Sequence, residues 1–516
     1  MILYALYRKH KMTKYMMMEQ SAREDSDQKK LQKLFDNCLV LRQTIIDQSK
    51  AILDGWRHFG LLNSEWVDAA NMAHYLVLRR QDLSELQLSL SAFGLSSLGR
   101  SEAKVLVSLD ALLVTLAKLN GEKAQPYPSL DQTMSGQRSI QALCNNIFGF
   151  SQEAARTRIM VTLPSEAADN PEIVDQLIHA GMDCARINCA HDDAQSWGHM
   201  ISNIRASEKK YKRSCHVLMD IAGPKCRIIK THCQKDFRLT RDARFFLLKS
   251  SKKLDQYCVA VTINFPHIID QLEIGAEISI DDGKARGVVI GKDDAGVEVE
   301  ITSVIAKGLK LRAERGLNFP TTALILPPLT PKDFEDLDFI AQHADMVGFS
   351  FVQRTGDIEL LQEHLSVRRG SLKPQTLILK IETPLAVQNL PELILQSATQ
   401  NPTGVMIARG DLAVELGFAR LSEMQEEILW LCESAHIPVI WATEVLSNFI
   451  KEGVMNRAEA TDAAMSQRAD CVMINKGAYA VEAICFLADI LKRMDRHHTK
   501  KFARFTPLHA WDSMFS

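Results

Sequence analysis

Eight short runs of β-forming residues, separated by amphipathic helical segments, fill most of the chain after residue 157. The runs are RIMVTL (158–163), DCARIN (183–188), CHVLMDI (215–221), MVGFSF (346–351), TLILKIE (376–382), GVMIARG (404–410), PVIWAT (438–443) and CVMIN (471–475). Strands that alternate with helices lie parallel, and eight such units close into a (β/α)8 TIM barrel. The sequence therefore predicts an α/β fold built around this barrel.

The gap between the third and fourth runs is too long for a single helical crossover. Residues 231–309 within it are rich in β-type residues and turns, which indicates a small all-β lid domain inserted into the barrel. The remaining segments, 157–230 and 310–495, together come close to the ~250 residues typical of such a barrel. We expect these two segments to form it.

Residues 25–120 have the three- and four-residue hydrophobic spacing of buried helix faces, as at Leu34, Cys38, Leu41 and Ile45. This spacing predicts an all-α N-terminal domain. Residues 121–156 begin with Gly, Pro and Ser and lack a regular hydrophobic spacing there, so they are predicted to be a linker. A disordered start (1–24) and a tail (496–516) complete the predicted organisation.

Composition and charge exclude several classes of protein. The formal net charge is -2, so nothing global indicates a nucleic-acid or membrane-surface partner. The first residues are apolar before they are basic, the reverse of a signal peptide. The eleven cysteines are scattered and lack metal-ligand spacing, which favours reduced thiols. We expect a cytoplasmic protein.

Polar residues cluster where the predicted barrel strands end, which is where barrel enzymes carry out their chemistry. They are Arg186, Asn188 and His191 after the second strand, Asp220, Lys225 and Arg227 after the third, Lys380 and Glu382 on the fifth, Arg409 and Asp411 after the sixth, and Thr443 on the seventh. The cations suit a phosphorylated anion. Glu382 and Asp411 are hard oxygen ligands suited to Mg2+ or Mn2+.

Single residues in this set have ordinary structural explanations. Asp220 could cap a turn, His191 could be a surface histidine, and Thr443 alone carries little information. The pair formed by Lys380-Ile-Glu382 and Ala408-Arg-Gly-Asp411 is harder to explain by packing, because its members converge only if the barrel forms. A phosphoryl-transfer site fits this pair best.

These segments resemble the pyruvate kinase family. The matching motifs, in order, are CARINCAHDD, MDIAGPKCR, IDDG, RGLNFP, LKIETP, MIARGDLAVE, IWATEVL and NRAEATDAA. The resemblance covers about residues 157–495. It implies that the C-terminal domain of the family is missing here and that the helical N-terminal domain is additional.

The resemblance also implies an activity and a set of roles. The activity is phosphoryl transfer from phosphoenolpyruvate to ADP, giving pyruvate and ATP in the last step of glycolysis. Lys380, Thr443 and Arg186 would be catalytic. The substrate would contact Arg186, Lys380, Ala408, Gly410, Asp411 and Thr443, the nucleotide Asn188, His191, Arg227 and Arg315, and Mg2+ or Mn2+ Glu382 and Asp411. A homo-oligomer through the barrel or the N-terminal helices is a further expectation.

One departure from the family pattern concerns K+. The family holds this ion with oxygens at positions corresponding to Asn188, Ala190, Asp220 and Ile221, and two of these residues have no side-chain oxygen here. Lys225 stands where the family has a glutamate. We expect the Lys225 ammonium to replace the ion beside Asn188 and Asp220, so that K+ is not required.

Two alternative functions remain open at this stage. One is a non-catalytic phosphometabolite-binding barrel whose helical domain binds a protein partner. The other is a different barrel enzyme that uses phosphoenolpyruvate or an oxoacid, such as a decarboxylase or an aldolase. The survival of Lys380, Glu382, Asp411 and Thr443 favours activity, and the lid and Arg227 favour the kinase.

Overall fold

A computed structural model describes residues 2–61, 63–150, 156–500 and 502–503. The chain divides into two compact units. The first comprises Met1–Ile140 with Glu433–His436, and the second comprises Gln141–Cys432 with Ile437–Ser516. In the described part of the chain, no helix combines the length and apolar character that crossing a bilayer requires.

The first unit is helical, as predicted. Its helices are α1 (Ile2–Trp56), α2 (Asn63–Leu78), α3 (Ser84–Ala92), α4 (Val105–Leu119) and the first part of α5 (Leu130–Phe148). Leu34, Cys38, Leu41 and Ile45 are buried along α1, which is the face that the spacing predicted. The helix α1 begins at Ile2, however, so the backbone is helical over most of the segment predicted to be a disordered start.

The helix α5 lies in the segment that the sequence predicted to be a linker. A reciprocal pair of hydrogen bonds begins it: Ser129 Oγ accepts from Gln132 N at 3.2 Å, and Gln132 Oε1 accepts from Ser129 N at 2.8 Å. This is a capping box, which satisfies two amide groups that the helix start leaves unpaired. This capping box was missed in the sequence because the Gly and Pro residues around it indicated a linker.

The second unit contains the barrel. Its elements before the lid are β1 (Arg158–Thr162), α6 (Pro171–Ala180), β2 (Cys184–Asn188), α7 (Ala194–Tyr211) and β3 (His216–Asp220). The lid consists of β4 (Ile228–His232), β5 (Arg244–Leu248), β6 (Ala260–Ile263), α8 (Ile268–Gln271), β7 (Glu277–Ile280), β8 (Ala285–Lys292), β9 (Gly296–Val304) and β10 (Leu317–Asn318).

The barrel continues after the lid. The remaining elements are α9 (Pro331–His343), β11 (Met346–Phe349), α10 (Thr355–Arg369), β12 (Thr376–Ile381), α11 (Pro384–Gln388), α12 (Leu390–Ala398), β13 (Thr403–Ala408), α13 (Arg409–Leu416), α14 (Phe418–Ser434), β14 (Val439–Val445), α15 (Ser447–Glu452), α16 (Arg457–Met465), β15 (Cys471–Ile474), α17 (Ala480–His497), β16 (His498–Thr499) and β17 (Phe502–Ala503). Short 3-10 helices lie at Arg57–Phe59, Glu102–Lys104, Ser165–Ala168, Ser251–Gln256 and Ser466–Arg468.

Eight parallel strands close the barrel in the order β1-β15-β14-β13-β12-β11-β3-β2, which confirms the predicted fold class. Each predicted run forms one of these strands. The strand interiors are almost wholly buried, as a barrel filled by its own side chains requires. The register sets Asn188 opposite Asp220, so the polar ends of β2 and β3 lie side by side.

The lid is a seven-stranded sheet in the order β10-β7-β8-β9-β5-β6-β4. It extends from Ile228 to Asn318, beyond the predicted 231–309, because the two chain segments that join it to the barrel pair with each other. Leu317 N donates to Cys226 O at 2.9 Å, and Arg227 forms a bridge with Gly316. We call residues 221–227 the outgoing connection and residues 311–320 the returning connection.

Candidate active site

Four charged side chains converge at the C-terminal mouth of the barrel. Asp220, at the end of β3, is the centre of the group. Arg186 Nε on β2 donates to Asp220 Oδ2 at 2.9 Å, and Lys380 Nζ on β12 lies 3.1 Å from the same carboxylate. Lys380 Nζ also lies 3.3 Å from Oε1 of Glu382. The structure therefore brings together Arg186, Asp220, Lys380 and Glu382, as expected from the strand ends.

Lys380 and Asp220 are buried, yet each favours the charged form of the other. Burial alone would lower the pKa of Lys380, but Asp220 and Glu382 outweigh it and raise that pKa above its usual value. Burial would raise the pKa of Asp220, but Lys380 and Arg186 outweigh it and lower that pKa. The mouth is thus a preorganised set of charges that need not rearrange to meet an anion.

A glycine makes room for the central carboxylate. A Cβ atom at Gly348 on β11 would stand 2.5 Å from Asp220 Oδ1. Carbon and oxygen atoms that are not bonded clash at this distance, so one of them would have to move. Any larger residue here would therefore displace Asp220 from the position between Arg186 and Lys380.

Sequence analysis missed two members of the site, Ser350 and Phe351. Lys380 Nζ donates to Ser350 Oγ at 2.6 Å, and Ser350 Oγ donates to Ile221 O at 2.6 Å. The amide of Phe351 donates to Glu382 Oε2 at 2.6 Å. Their positions just after β11 follow the same strand-end rule that identified the others, but the apolar run MVGFSF concealed the serine.

Glu382 and Asp411 are the candidate metal ligands. Burial raises the pKa of Glu382, and the charge of Asp411 raises it further, although Lys380 acts in the opposite direction. Two carboxylates that repel each other in a buried site favour a bound cation. Among the described residues, no three histidine, cysteine or carboxylate side chains group closely enough to hold a metal unaided. The donor set fits Mg2+, which commonly takes one or two carboxylates and completes its shell with water and phosphate.

Thr443 sits beside the first turn of α13. Its Oγ1 accepts a hydrogen bond from Gly410 N at 2.7 Å, and its φ is +66°, in the left-handed region that is strained for a β-branched residue. Arg409 stabilises this turn, since its Nη2 donates to Thr443 O at 2.8 Å and it forms an ion pair with Asp462. The structure thus places the Thr443 hydroxyl against the backbone of the Ala408–Asp411 turn.

The position of Lys225 corrects a sequence-based expectation. We expected its ammonium beside Asp220 and Asn188. Instead, Lys225 Nζ lies 2.9 Å from Oδ1 and 3.2 Å from Oδ2 of Asp411. The physical reason is charge: Asp220 is already neutralised by Arg186 and Lys380, whereas Asp411 faces the outgoing connection that carries Lys225.

The four predicted nucleotide residues form two pairs. Asn188 and His191 share one turn after β2, where Asn188 Oδ1 accepts from Ala190 N at 3.2 Å. Arg227 and Arg315 lie on the outgoing and returning connections, and Arg315 forms an ion pair with Asp281. In the described residues no hydrogen bond or ion pair joins the side chains of the two pairs. A basic cavity of about 640 Å3 adjoins Arg315 in the lid; its cations are Arg238, Lys284, Lys307, Lys310, Arg312 and Arg315.

Comparison with known proteins supports one family. The sequence model described as "Pyruvate kinase, barrel domain" matches residues 154–484. A pyruvate kinase of Agrobacterium vitis is 30% identical over 355 residues, which cover 67% of this chain and 71% of the relative. The Methylorubrum extorquens pyruvate kinase is 32% identical, covering 67% and 70%. That of Geobacillus stearothermophilus is 32% identical, covering 66% and 57%. The chain therefore belongs to the pyruvate kinase family of phosphotransferases.

Proposed function

We propose that this chain transfers the phosphoryl group of phosphoenolpyruvate to ADP and releases pyruvate and ATP. The observation that carries the proposal is the buried group of Lys380, Asp220, Arg186 and Glu382 at the barrel mouth. Phosphoryl transfer needs positioning and positive charge more than a protein nucleophile, and this group supplies both.

Each cation has a distinct part in this reaction. An oxygen of the ADP β-phosphate attacks phosphorus, the bond from phosphorus to the enol oxygen breaks, and the resulting enolate takes up a proton at carbon to become pyruvate. Lys380 stabilises the charge that develops on the phosphoryl and enolate oxygens, and Arg186 holds the phosphoryl group through its planar fork. Asp220 and Ser350 position Lys380. The Ala408–Asp411 backbone and the Thr443 hydroxyl bind the substrate carboxylate.

Mg2+, or Mn2+ in its place, would be held by Glu382 and Asp411. When bound, it supplies charge neutralisation between the phosphate and the carboxylates. The pairing of Asp411 with Lys225 implies that the ammonium gives up at least one of these carboxylate oxygens when the metal is present. Asn188, His191, Arg227 and Arg315 would contact the nucleotide, for which the basic cavity of the lid offers a favourable potential.

The proposal is tested by following pyruvate and ATP formation from phosphoenolpyruvate, ADP and Mg2+. We expect turnover by the purified wild type, dependence on the divalent metal, and no reaction when ADP is omitted. If the chain binds phosphoenolpyruvate without converting it, it is the non-catalytic metabolite-binding barrel. If it consumes phosphoenolpyruvate without forming ATP, it is a different barrel enzyme.

We also propose that the reaction does not require K+. The support is that Ala190 and Ile221 lack side-chain oxygens and that the Lys225 ammonium is fixed at the mouth, 2.9 Å from Asp411. Without those oxygens a monovalent ion has too few ligands, and the Lys225 ammonium adds a covalently attached positive charge beside Asp411 rather than at the position of that ion. We expect full activity with tetramethylammonium as the sole monovalent cation and severe loss in Lys225→Glu. Strong stimulation of the wild type by K+ would contradict this part of the proposal.

A further inference from the structure

A cavity of about 290 Å3 lies between the barrel and the two lid connections, beside the barrel mouth. Its lid side is formed by residues 224–226, 317–324 and 326, and its barrel side mainly by Phe351, Gln353 and residues 383–385. Most of the lining is apolar and includes Phe319, Leu324, Leu326 and Leu385. At ~30 Å3 per water-sized group, the cavity has room for about ten non-hydrogen atoms.

One carboxylate, Glu415 on α13, lines this mainly apolar space. Asn318 Nδ2, from β10, donates to its Oε1 at 2.9 Å. Burial raises the pKa of Glu415 to about 7, the hydrogen bond from Asn318 acts in the opposite direction, and the charge of Asp411 adds to the rise. No positively charged neighbour is among the causes that set the pKa of Glu415, so its burial is not offset by a cation.

The cation in the cavity lining is already engaged. Lys225 also lines the cavity, but its ammonium is bound to Asp411, one helical turn before Glu415 on α13. Among the described residues, no lysine, arginine or histidine side chain forms an ion pair with Glu415. The cavity therefore combines apolar walls with a carboxylate that has an amide donor and no counter-ion.

We propose that this cavity is a binding site for a small organic ammonium ion with an apolar body, recognised by Glu415. The apolar part of such a ligand would replace water against Phe319, Leu324 and Leu385. Its ammonium would form a charge-assisted hydrogen bond with the free oxygen of Glu415. An organic anion would meet the charges of both Glu415 and Asp411 and would be excluded.

The position of the site gives such a ligand a structural consequence. It would contact the outgoing connection, the returning connection and α13 at once, and α13 also carries the candidate metal ligand Asp411. A bound ligand would thus hold the two lid connections against the barrel. This inference is independent of phosphoenolpyruvate turnover and adds a second ligand to the one proposed for the barrel mouth.

The test is a calorimetric titration of the full chain with phenethylammonium chloride, with 2-phenylethanol as the neutral probe of the same shape. We expect saturable one-to-one binding of the ammonium and at least tenfold weaker binding of the alcohol. Glu415→Gln should weaken ammonium binding at least tenfold, and Glu392→Gln, an exposed glutamate on α12, should not. Ala323→Phe, which narrows the cavity without changing charge, should weaken binding of both probes.

The pH dependence supplies a separate readout. The ammonium remains protonated from pH 6 to 8, while Glu415 passes from mostly neutral to mostly ionised. The affinity of the protein for the ammonium should therefore rise about tenfold over this range. In Glu415→Gln this rise should disappear.

Hydrogen exchange of residues 224–227 and 316–318 should slow when the ammonium binds. Equal affinity for ammonium and alcohol, equal affinity of wild type and Glu415→Gln, or no saturable binding at millimolar ammonium would each overturn the proposal. Because no phosphoenolpyruvate or ADP is present, those results would leave the phosphotransfer proposal untouched.

Discussion

In the part of the chain that the structure describes, the barrel contains two buried lysine–aspartate pairs, one at its mouth and one at the opposite end. At the mouth, Lys380 lies 3.1 Å from Asp220, with side-chain exposures of 10% and 1%. At the N-terminal end of the strands, Lys500 lies 3.3 Å from Asp470, with exposures of 11% and 5%. Charge, burial and separation are nearly the same, so these quantities alone cannot distinguish a functional pair from a structural one.

The surroundings of the two carboxylates differ. Asp470 Oδ2 also accepts a hydrogen bond from the Val439 amide at 3.1 Å, so this pair secures the start of β14. Asp220 receives its bonds from the side chains of Arg186 and Lys380. A carboxylate that orients other side chains can prepare them for a ligand, whereas one that binds the backbone stabilises the strand. The comparison teaches that the partners of a buried ion pair indicate its purpose better than its burial does.

The largest expected effect is a loss of kcat on changing Glu382, at the barrel mouth, and it would sharpen the contrast between the two ends of the barrel. The change Glu382→Gln removes a charge needed for the metal and should lower kcat by about 10²–10³-fold. Stability should be kept, because burial raises the pKa of this carboxyl and a neutral amide avoids that cost. Mn2+ binding, followed by electron paramagnetic resonance without substrate, should weaken in parallel. Unchanged Mn2+ affinity would remove Glu382 from the metal site.

The next largest effect is a loss of stability, expected on changing Asp470 at the opposite end of the barrel. Asp470→Asn leaves the Lys500 ammonium buried without its counter-ion and should cost about 2–4 kcal/mol of the free energy of unfolding. The kcat for phosphoenolpyruvate should stay within about twofold, since nothing at this end develops charge in the reaction. Urea unfolding and steady-state assays of the same preparation measure both quantities. A large loss of kcat with little loss of stability would reverse the assignment of the two pairs.

The smallest expected effect is at Glu415, whose pKa is raised to about 7 by burial. The folded state therefore holds a proton that the unfolded state releases, and stability falls as pH rises from about 4.5 to 7. Glu415→Gln should remove this fall and add about 1–3 kcal/mol at pH 8, with little change at pH 4.5. Thermal unfolding of the wild type and Glu415→Gln at the two pH values checks this difference in stability. A variant that is equally destabilised at both would show that the Asn318 hydrogen bond matters more than the charge.

Much of the barrel and part of the site could be predicted from the sequence. Hydrophobic runs bounded by polar residues identified all the barrel strands, and the strand-end rule identified Lys380, Glu382 and Asp220. Both signals are local, because alternation and polarity are properties of neighbouring residues. The helix α5 was missed although Ser129 and Gln132 form its capping box, since the flanking Gly and Pro residues dominated the interpretation.

The partner of Lys225 could not be predicted in the same way. Its ammonium is on a flexible chain in the outgoing connection, and its choice between Asp220 and Asp411 depends on which carboxylate other cations have already neutralised. That information comes from β2, β12 and α13 together. Similarly, the left-handed backbone of Thr443 is fixed by Gly410 and Arg409 from another strand end, and no local pattern indicates it.

The central claim, that the mouth pair acts in phosphoryl transfer and the opposite pair in stability, is tested most directly by comparing Lys380→Met with Lys500→Met. Each change removes one buried ammonium from an aspartate. We measure kcat for phosphoenolpyruvate with ADP and Mg2+, and the midpoint of thermal unfolding, for both variants beside the wild type. Lys380→Met should lose at least about 10²–10³-fold in kcat while unfolding cooperatively. Lys500→Met should keep kcat within about twofold and unfold at a lower temperature. Equal kcat in the wild type and Lys380→Met, or an equal loss of kcat in both variants, would contradict the claim.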